Sequence, residues 1–236
     1  MLKIRFWPFL AILIAVALAV RLGFWQRDRA HQKEALAAQL MRYQNSTPTP
    51  LGASRLPLEE IEYHRVRARG RFMPERVVYL DNRTYNARPG FHVLMPLALE
   101  EGTYVLVNRG WIPCNMQDRA VLAPYSTPTD KVEIEGIARA DPGQAFELGA
   151  GGSAAHLRIR QNLDLAAYQL ETGLPLQPFV IWQTNEIDDQ LVRAWPNILT
   201  GVERNYGYML QWWGIAAAIL LSGLYAARRA ALSAVK

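Results

Sequence analysis

Two uncharged apolar runs stand at opposite ends of this 236-residue chain. Residues 6–20 read FWPFLAILIAVALAV, and residues 209–227 read MLQWWGIAAAILLSGLYAA. A helix needs about 20 apolar residues to cross roughly 30 Å of hydrocarbon. The second run is long enough. The first becomes so when it extends to Trp25, because the long side chain of Arg21 can reach the headgroups. Both runs predict membrane-spanning helices.

The first run has a competing interpretation as a cleavable signal peptide, because Lys3 and Arg5 precede it. However, no small-x-small cleavage site followed by a loop comes after it. Residues 25–43 instead read WQRDRAHQKEALAAQLMRY, with strong helix formers and neither Gly nor Pro. We therefore predict an uncleaved anchor whose helix continues above the membrane. Residues 45–57 contain three prolines and predict a linker.

Two spans place both termini on the same side of the membrane, and charge indicates which side. The tails carry Lys3, Arg5, Arg228, Arg229 and Lys236, which favours the cytoplasm. Basic residues also follow the first span, but long loops translocate largely regardless of charge. The predicted order is a cytoplasmic tail (1–5), a first span (6–25), an extracytoplasmic domain (26–208), a second span (209–227) and a cytoplasmic tail (228–236).

The central domain has the pattern of antiparallel β structure. Residues 63–72 alternate strictly, with Arg65, Arg67, Arg69 and Arg71 on one face and small or apolar residues on the other. Further strands are predicted at 76–80, 91–97, 103–108, 132–138 and 178–183. Turn-forming pieces separate them, at 81–82, 88–90, 101–102 and 141–143. A loop of small residues is predicted at 150–155, and a short helix at 163–170 that ends near Gly173. Two transmembrane helices flanking a mainly antiparallel α+β domain, a small barrel or sandwich, fit this order.

The motifs of common enzymes and metal sites are absent from the sequence. It has no G-x-S-x-G, C-x-x-C, H-E-x-x-H or Walker pattern. The four histidines, His31, His64, His92 and His156, do not pair at metal-ligand spacing, and Cys114 is the single cysteine. We therefore predict neither catalysis nor a metal centre. The basic pI of about 9.5 reflects in part the anchoring charges, so no nucleic-acid partner is inferred.

The arginine stripe on residues 65–71 allows two interpretations. It could bind an anionic group such as a propionate, a phosphate or a lipid headgroup. Alternatively it is a solvated strand face, paired across the sheet with Glu133 and Glu135, which alternate on their own predicted strand. Exposed charge on a strand is the ordinary case, which favours the second interpretation.

Aromatic residues cluster where the two spans meet the outer membrane surface: Trp25, Tyr206, Tyr208, Trp212 and Trp213. As an interfacial belt they need no further explanation, and spacing alone favours this reading. They could also form the mouth of a site for a flat hydrophobic ligand between two helices. Polar residues add weight to the ligand alternative, since Gln26, Arg29, Asn205 and Gln211 stand in the same stretches, although such groups can also join the helices.

Four stretches together resemble the surfeit locus protein 1 family. They are Leu-Gly-Phe-Trp-Gln at 22–26 with Arg29, Lys33 and Leu36; Tyr63 with Arg65-Val66, Gly70 and Phe72; Arg-Pro-Gly-Phe-His-Val-Leu at 88–94 with Pro96-Leu97 and then Val-Asn-Arg-Gly-Trp-Ile-Pro at 107–113; and Gly207-Tyr208 with Gln211-Trp212-Trp213. The resemblance runs from Leu22 to the end of the second span. The Asn-Arg-Gly-Trp-Ile-Pro block is its most specific part.

That family consists of assembly factors for haem-copper cytochrome c oxidase, and the resemblance implies delivery of haem a to the catalytic subunit. It implies a bacterial cytoplasmic membrane protein with a periplasmic domain, and a chaperone rather than an enzyme. The expected partners are the oxidase catalytic subunit, haem a synthase and the lipid bilayer. The expected cofactor-binding residues are Trp25, Gln26, Arg29, Asn205, Tyr208 and Trp212. Asn108, Arg109 and Trp111 are either a partner-binding surface or a turn with a tryptophan covering the core edge.

Asn205 is a departure from the family pattern. Members commonly have a histidine, a proposed haem ligand, three residues before the tyrosine that matches Tyr208. An amide is a poor iron ligand compared with imidazole. The protein would therefore use another ligand, hold the porphyrin without axial ligation, or act as a scaffold that stabilises an oxidase intermediate without binding haem.

Overall fold

The computed structural model describes residues 6–99, 102–143, 158–195 and 201–233. The chain divides into two compact units, Met1–Gln39 with Asn197–Lys236, and Leu40–Pro196. The helices are α1 (Phe6–Gln44), α2 (Leu58–Ile61), α3 (Leu165–Thr172) and α4 (Val202–Ser233). The strands are β1 (Thr49–Leu51), β2 (Arg65–Phe72), β3 (Val78–Tyr85), β4 (Arg88–Leu99), β5 (Tyr104–Pro113), β6 (Val132–Arg139), β7 (Ile159–Arg160) and β8 (Leu176–Gln183). The predicted loop at 150–155 and His156 lie outside the described residues.

The first unit pairs α1 with α4, and both helices are long and apolar enough to cross a membrane. Because α1 is continuous to Gln44, the prediction that the first helix extends beyond its apolar run is confirmed. Small side chains let the helices approach closely. A Cβ atom at Gly23 would lie 2.2 Å from Nε1 of Trp213, and one at Gly223 would lie 3.0 Å from Cδ1 of Ile12. The line of buried residues on α1 also includes Ala19 and Ala30.

The second unit contains a closed five-stranded barrel. Its strands pair in the order β2, β6, β8, β5, β4, and β4 returns to pair with β2. Of the two predicted alternatives, a small barrel or a sandwich, the structure has the barrel. Closure depends on Gly70, since a Cβ atom there would stand 2.2 Å from the carbonyl oxygen of Ala98. Most pairs are antiparallel, but β5 and β8 are parallel, and β1, β3 and β7 extend the sheet beyond the barrel.

Two hydrophobic layers hold the barrel strands. One fills the barrel interior, with residues such as Phe91, Met95 and Phe179. The other lies outside it, where Tyr168 of α3 packs with Leu94 and other residues of β4, β5 and β8. These three strands are therefore buried on both faces and have nearly continuous apolar sequences. In contrast, β2 and β6 alternate because one of their faces meets solvent.

Several predicted turns lie inside strands. Asp81-Asn82 falls within β3, where Asn82 has a φ of 59° at an irregularity in the pairing with β4. The segment 88–90 lies in β4, and the reversal is instead made at Asn86 and Ala87, with φ values of 47° and 60°. Gly90 is needed within the strand because a Cβ atom would meet the carbonyl of Ile112. The turn therefore begins two residues before the Arg-Pro-Gly segment that predicted it.

The short predicted helix is confirmed, and its ends have clear causes. The carboxylate of Asp164 accepts a hydrogen bond of 2.7 Å from the backbone N–H of Ala167, which caps the N-terminus. Gly173 ends the helix in the left-handed region, with a φ of 70°.

Candidate functional site

A cavity of about 640 Å³ lies in the helical unit, between the C-terminal half of α1 and the N-terminal part of α4. It is lined by Trp25, Gln26, Arg29, Gln32, Lys33, Leu36, Asn205 and Tyr208. Five of the six predicted cofactor-binding residues are therefore brought together. The sixth, Trp212, is half-buried on α4 and does not line the cavity. The volume of the cavity falls within the range of roughly 300–1,000 Å³ that is typical of small-molecule and cofactor sites.

Helical periodicity explains why α1 supplies most of the lining. Trp25, Arg29, Gln32 and Leu36 recur at spacings of three and four residues, which places them on one stripe of the helix. Gln26 and Lys33 are seven residues apart and also lie close together on one face. The uninterrupted α1 helix is what keeps both stripes in register across three turns.

A chain of hydrogen bonds joins the two helices at one side of the cavity. The Nζ atom of Lys33 donates to Oδ1 of Asn205 at 2.7 Å and to the carbonyl of Gly201 at 3.4 Å. Asn205 in turn donates through Nδ2 to Oε1 of Gln26 at 2.7 Å. Both the oxygen and the nitrogen of the Asn205 amide are therefore occupied, so this residue links the helices.

The remaining walls combine apolar surface with positive charge. Trp25 is 52% exposed and Tyr208 is 45% exposed, so both present aromatic surface to the cavity region. The guanidinium of Arg29 lies 5.9 Å from the centre of the Trp25 ring. Among the residues that the structure describes, the lining contains two cations, Arg29 and Lys33, and no carboxylate. An amphipathic ligand with an apolar body and an anionic group matches these walls.

The residues around the cavity do not form a metal centre of ordinary protein ligands. The described residues of the lining include no imidazole, thiolate or thioether. Among the described residues, no group of three or more His, Cys, Asp and Glu side chains could hold a metal ion. His31 is exposed, does not line the cavity, and has its ring 6.3 Å from that of Tyr206.

The aromatic residues that the sequence grouped with this site have different roles. Trp213 packs edge-on against Phe24, with ring centres 5.4 Å apart, and covers Gly23. Tyr206 donates its hydroxyl to Glu34 at 2.9 Å. These two residues therefore join the helices, whereas Trp25 and Tyr208 line the cavity. The belt and ligand interpretations both stay predictions.

The Asn-Arg-Gly-Trp block lies in the interior of the second unit. Residues 108–113 belong to β5 rather than to a turn after it, so that part of the interpretation is wrong. Arg109 interrupts the pairing with β4 between Val93 and Leu94, and Gly110 follows with a φ of 144°. Asn108 and Arg109 are fully buried, and Trp111 is 7% exposed. This placement favours a structural role, and a partner-binding role stays a prediction.

Arg109 organises a buried ionic cluster. It donates to Asp189 at 2.9 Å, to the hydroxyl of Thr127 at 2.7 Å and to the carbonyl of Ser126 at 2.9 Å. Its guanidinium also lies 4.5 Å from the centre of the Phe72 ring. Burial lowers the pKa of Arg109 below its ordinary value, although the nearby charge of Asp189 acts in the opposite direction. The group ties three parts of the chain to the barrel interior.

Asn108 supports a second polar cluster around His92. The amide of Asn108 donates to Nδ1 of His92 at 3.3 Å and to the carbonyl of Pro142 at 3.1 Å. Burial, and to a smaller extent the nearby charge of Arg83, lowers the pKa of His92 to about 4. His92 is therefore neutral near pH 7, in keeping with a structural role. His64 also packs internally, stacked on Tyr43 with ring centres 4.1 Å apart.

The arginine stripe is partly neutralised, as the second of its two interpretations predicts. Glu135 binds both Arg65 and Arg67 at 2.7 Å, and Glu133 lies 3.6 Å from Arg67. The hydrogen bonds from Arg67, and then those from Arg65, lower the pKa of the Glu135 carboxyl. Arg69 and Arg71 are exposed on the same face.

A cavity of similar size, about 680 Å³, lies beside α3 in the second unit. Two of its polar residues already serve the fold. Asp164 caps α3, and Gln177 bonds the backbone of Ser54 and Leu56. None of the residues predicted to bind a cofactor or a partner lines it. A further cavity of about 700 Å³ beside α1 in the helical unit contains only Trp25 of these residues. We therefore take the cavity between α1 and α4 as the candidate site.

Three lining residues were not predicted to bind a cofactor: Gln32, Lys33 and Leu36. Lys33 and Leu36 belong to the motif that carries the family resemblance, but no role was assigned to them. Their signal was present in the sequence, because they continue the helical spacing from Trp25 and Gln26 through a stretch without Gly or Pro. Gln32 had no signal other than that spacing.

Comparison with known proteins finds one family. The model of the SURF1 family matches residues 13–217. SURF1-like proteins of Rickettsia bellii and Rickettsia felis are 25% and 24% identical to this chain; each alignment covers 90% of this chain, and 87% and 93% of the relative. Surfeit locus protein 1 of Gallus gallus is 32% identical over 123 residues, which are 45% of this chain and 40% of that protein.

Proposed function

We propose, from the premise that this chain belongs to the SURF1 family, that it is an assembly factor for a haem-copper cytochrome c oxidase. In this role it binds haem a or hands it over to the catalytic subunit of the oxidase. The observation that carries the proposal is the cavity between α1 and α4, because five of the six residues that the resemblance implies for haem binding line it. The activity is that of a chaperone and not of an enzyme.

The lining residues suit the body and the side groups of a porphyrin better than its iron. Trp25, Tyr208 and Leu36 would contact the apolar ring, and Arg29 with Lys33 would face its propionates. Haem a supplies the redox chemistry of the finished oxidase, and this chain would keep the apolar molecule away from water until transfer. Asn205 does not fit the role of an axial ligand, because its amide is already bonded to Lys33 and Gln26.

The membrane arrangement that accompanies this function is a bacterial cytoplasmic membrane protein with cytoplasmic termini. The two helices that can span a membrane support the membrane location, and the basic tails support the orientation. The barrel unit would then lie in the periplasm. The oxidase catalytic subunit is the proposed partner, and haem a synthase is the proposed source of the haem.

A second candidate function is a scaffold that stabilises an oxidase intermediate by protein contacts alone. The observation that favours it is the lack of an imidazole, thiolate or thioether in the cavity lining. Under this alternative the cavity has no haem to carry, and the polar chain through Asn205 simply fixes the helix pair.

The first test is the haem a content of the oxidase in a strain that lacks this protein. Oxidase that accumulates without haem a supports delivery. Normal haem content and activity would remove the assembly role. Complementation with Trp25→Ala should fail to restore haem a, while Phe9→Ala, an exposed aromatic residue on the same helix that does not line the cavity, should restore it.

A second test distinguishes the two candidate functions. The full-length protein, purified from cells that make haem a, should show haem a absorbance under the first function and none under the scaffold function. The Asn205→His variant should shift the Soret band of the bound pigment, because imidazole ligates iron far better than an amide. Asn205→Gln is the matched control and should leave the band unchanged.

A further inference from the structure

The charged residues at positions 27–34 of α1 differ in whether they are paired. Arg27 is paired with Asp28 at 3.1 Å, and the carboxylate of Glu34 accepts from Tyr206. The two acidic side chains of this stretch are thus engaged outside the cavity, which neither of them lines. Arg29 and Lys33, one helical turn apart, both line the cavity. Within the described part of the chain, neither forms an ion pair.

The contacts that these two cations do make are neutral. Lys33 donates to the Asn205 side chain and the Gly201 carbonyl. Arg29 makes one long hydrogen bond of 3.4 Å to Gln32 and lies over the Trp25 ring. Neutral acceptors leave both positive charges uncompensated in a cavity whose other lining residues are apolar, aromatic or neutral amides. Such a pair of charges matches an anion held by charge-assisted hydrogen bonds.

We propose that Arg29 and Lys33 form a carboxylate-binding site within this cavity, which recognises an apolar, planar ligand by its acidic side groups rather than by a metal at its centre. The inference rests on the proposed function, because it assigns the part of the porphyrin that the site reads. Arg29 is the main determinant, since its planar guanidinium has free donors. Lys33 also positions Asn205, so its substitution changes two interactions.

The test uses the full-length protein in a neutral detergent and two metal-free porphyrins. Protoporphyrin IX carries two carboxylates, and its dimethyl ester has the same ring without charge. Both lack iron, so axial ligation cannot contribute to the affinity, which is measured by quenching of tryptophan fluorescence. We expect the diacid to bind about tenfold more tightly than the diester, the size expected for a hydrogen bond to a charged group.

Substitution assigns that preference to a residue. Arg29→Gln should weaken binding of the diacid about tenfold and leave the diester unchanged. Arg27→Gln is the matched control, because Arg27 does not line the cavity and is paired with Asp28. This substitution should change neither affinity. Unchanged binding of the diester by Arg29→Gln also shows that the variant has kept the cavity, so a folding defect is recognised directly.

The outcomes separate this inference from the proposed function. If both porphyrins bind equally well and Arg29→Gln changes neither, the carboxylate site is wrong while porphyrin binding stands. If neither porphyrin binds, haem carriage and the carboxylate site fail together.

The anionic group could also come from a lipid headgroup, and nanodiscs distinguish that source. Phosphatidylglycerol added to phosphatidylcholine nanodiscs should lower diacid binding by the same factor in the wild type and in Arg29→Gln. A loss confined to the wild type would assign Arg29 to lipid phosphate and overturn the inference.

Discussion

Asp189 is the residue whose environment most clearly predicts a large loss of stability on substitution. Its side chain is fully buried and binds two arginines, Arg109 and Arg193. Asp189→Asn would keep the shape but leave both positive charges without a partner. We expect a loss of about 3–5 kcal/mol in the free energy of unfolding, as for other broken buried ion pairs. Chemical denaturation of the full-length protein in detergent measures it.

The control for this prediction is a surface ion pair. Glu133 is 55% exposed and lies 3.6 Å from Arg67, so Glu133→Gln should cost less than about 1 kcal/mol. Equal losses for Asp189→Asn and Glu133→Gln would show that the Arg109 cluster contributes no more than exposed charge. Such a result would contradict the internal role assigned to the Asn-Arg-Gly-Trp block.

His92 predicts how stability depends on pH. Its folded-state pKa of about 4 lies below the ordinary value of 6.5, because burial disfavours the imidazolium. The unfolded chain therefore binds a proton more readily between pH 4 and 6.5, so stability is fully present above pH 6.5 and is lost as the pH falls toward 4. The contribution of this one group is about 3 kcal/mol, at about 1.4 kcal/mol for each pH unit.

Unfolding measured at a series of pH values checks this prediction. His92→Gln should remove the part of the slope between pH 4 and 6.5 that His92 contributes, although it also disturbs the bond to Asn108. His31→Gln, an exposed histidine, should retain the full slope. A slope that is the same in the wild type and both variants would show that His92 titrates at its ordinary pKa.

At the scale of elements, the sequence predicted those strands and helices that depend on local interactions. The alternation of residues 65–72 predicted β2, and Asp164 with Gly173 bounds the predicted α3 helix. The turns were harder, because Asp81-Asn82 and Arg88-Pro89-Gly90 have turn composition but lie in strands. Glycine is required at position 90 because a Cβ atom there would clash with Ile112 of the neighbouring strand, and not because the chain turns there. Such a contact between distant residues leaves no local signal.

The pairing of the two long helices gives the prediction for this scale. Gly23→Leu should separate α1 from α4, because Trp213 occupies the space that the new side chain needs. Gly214→Leu is the matched control, since no atom lies within 4 Å of a Cβ there. Disulfide formation between Ile12→Cys and Gly223→Cys in a Cys114→Ser background reports the pairing. It should fall with Gly23→Leu and persist with Gly214→Leu; equal yields would rule out close packing at Gly23.

At the scale of the whole molecule, the sequence predicted the two end helices and most of one cavity, but not the strand order. Apolar runs and helical spacing are local properties, so Trp25, Gln26, Arg29, Asn205 and Tyr208 could be grouped in advance. Barrel closure depends on long-range pairing. The parallel contact of β5 with β8 and the return of β4 to β2 require strands that are far apart in sequence. Their order follows from packing on both faces, which periodicity alone does not encode.

The arrangement in the membrane is the last prediction, and two single-cysteine proteins test it. Met116 is 78% exposed in the barrel unit, so Met116→Cys in a Cys114→Ser background gives a reactive thiol there. Lys236→Cys in the same background reports the C-terminal tail. With the barrel unit in the periplasm, a membrane-impermeant maleimide should label position 116 once the outer membrane is opened. Position 236 should be labelled only after the inner membrane is broken, because the basic tail is retained in the cytoplasm. Labelling of position 236 first would reverse the orientation. Arg29 and Lys33 would then lie toward the cytoplasmic side of the membrane.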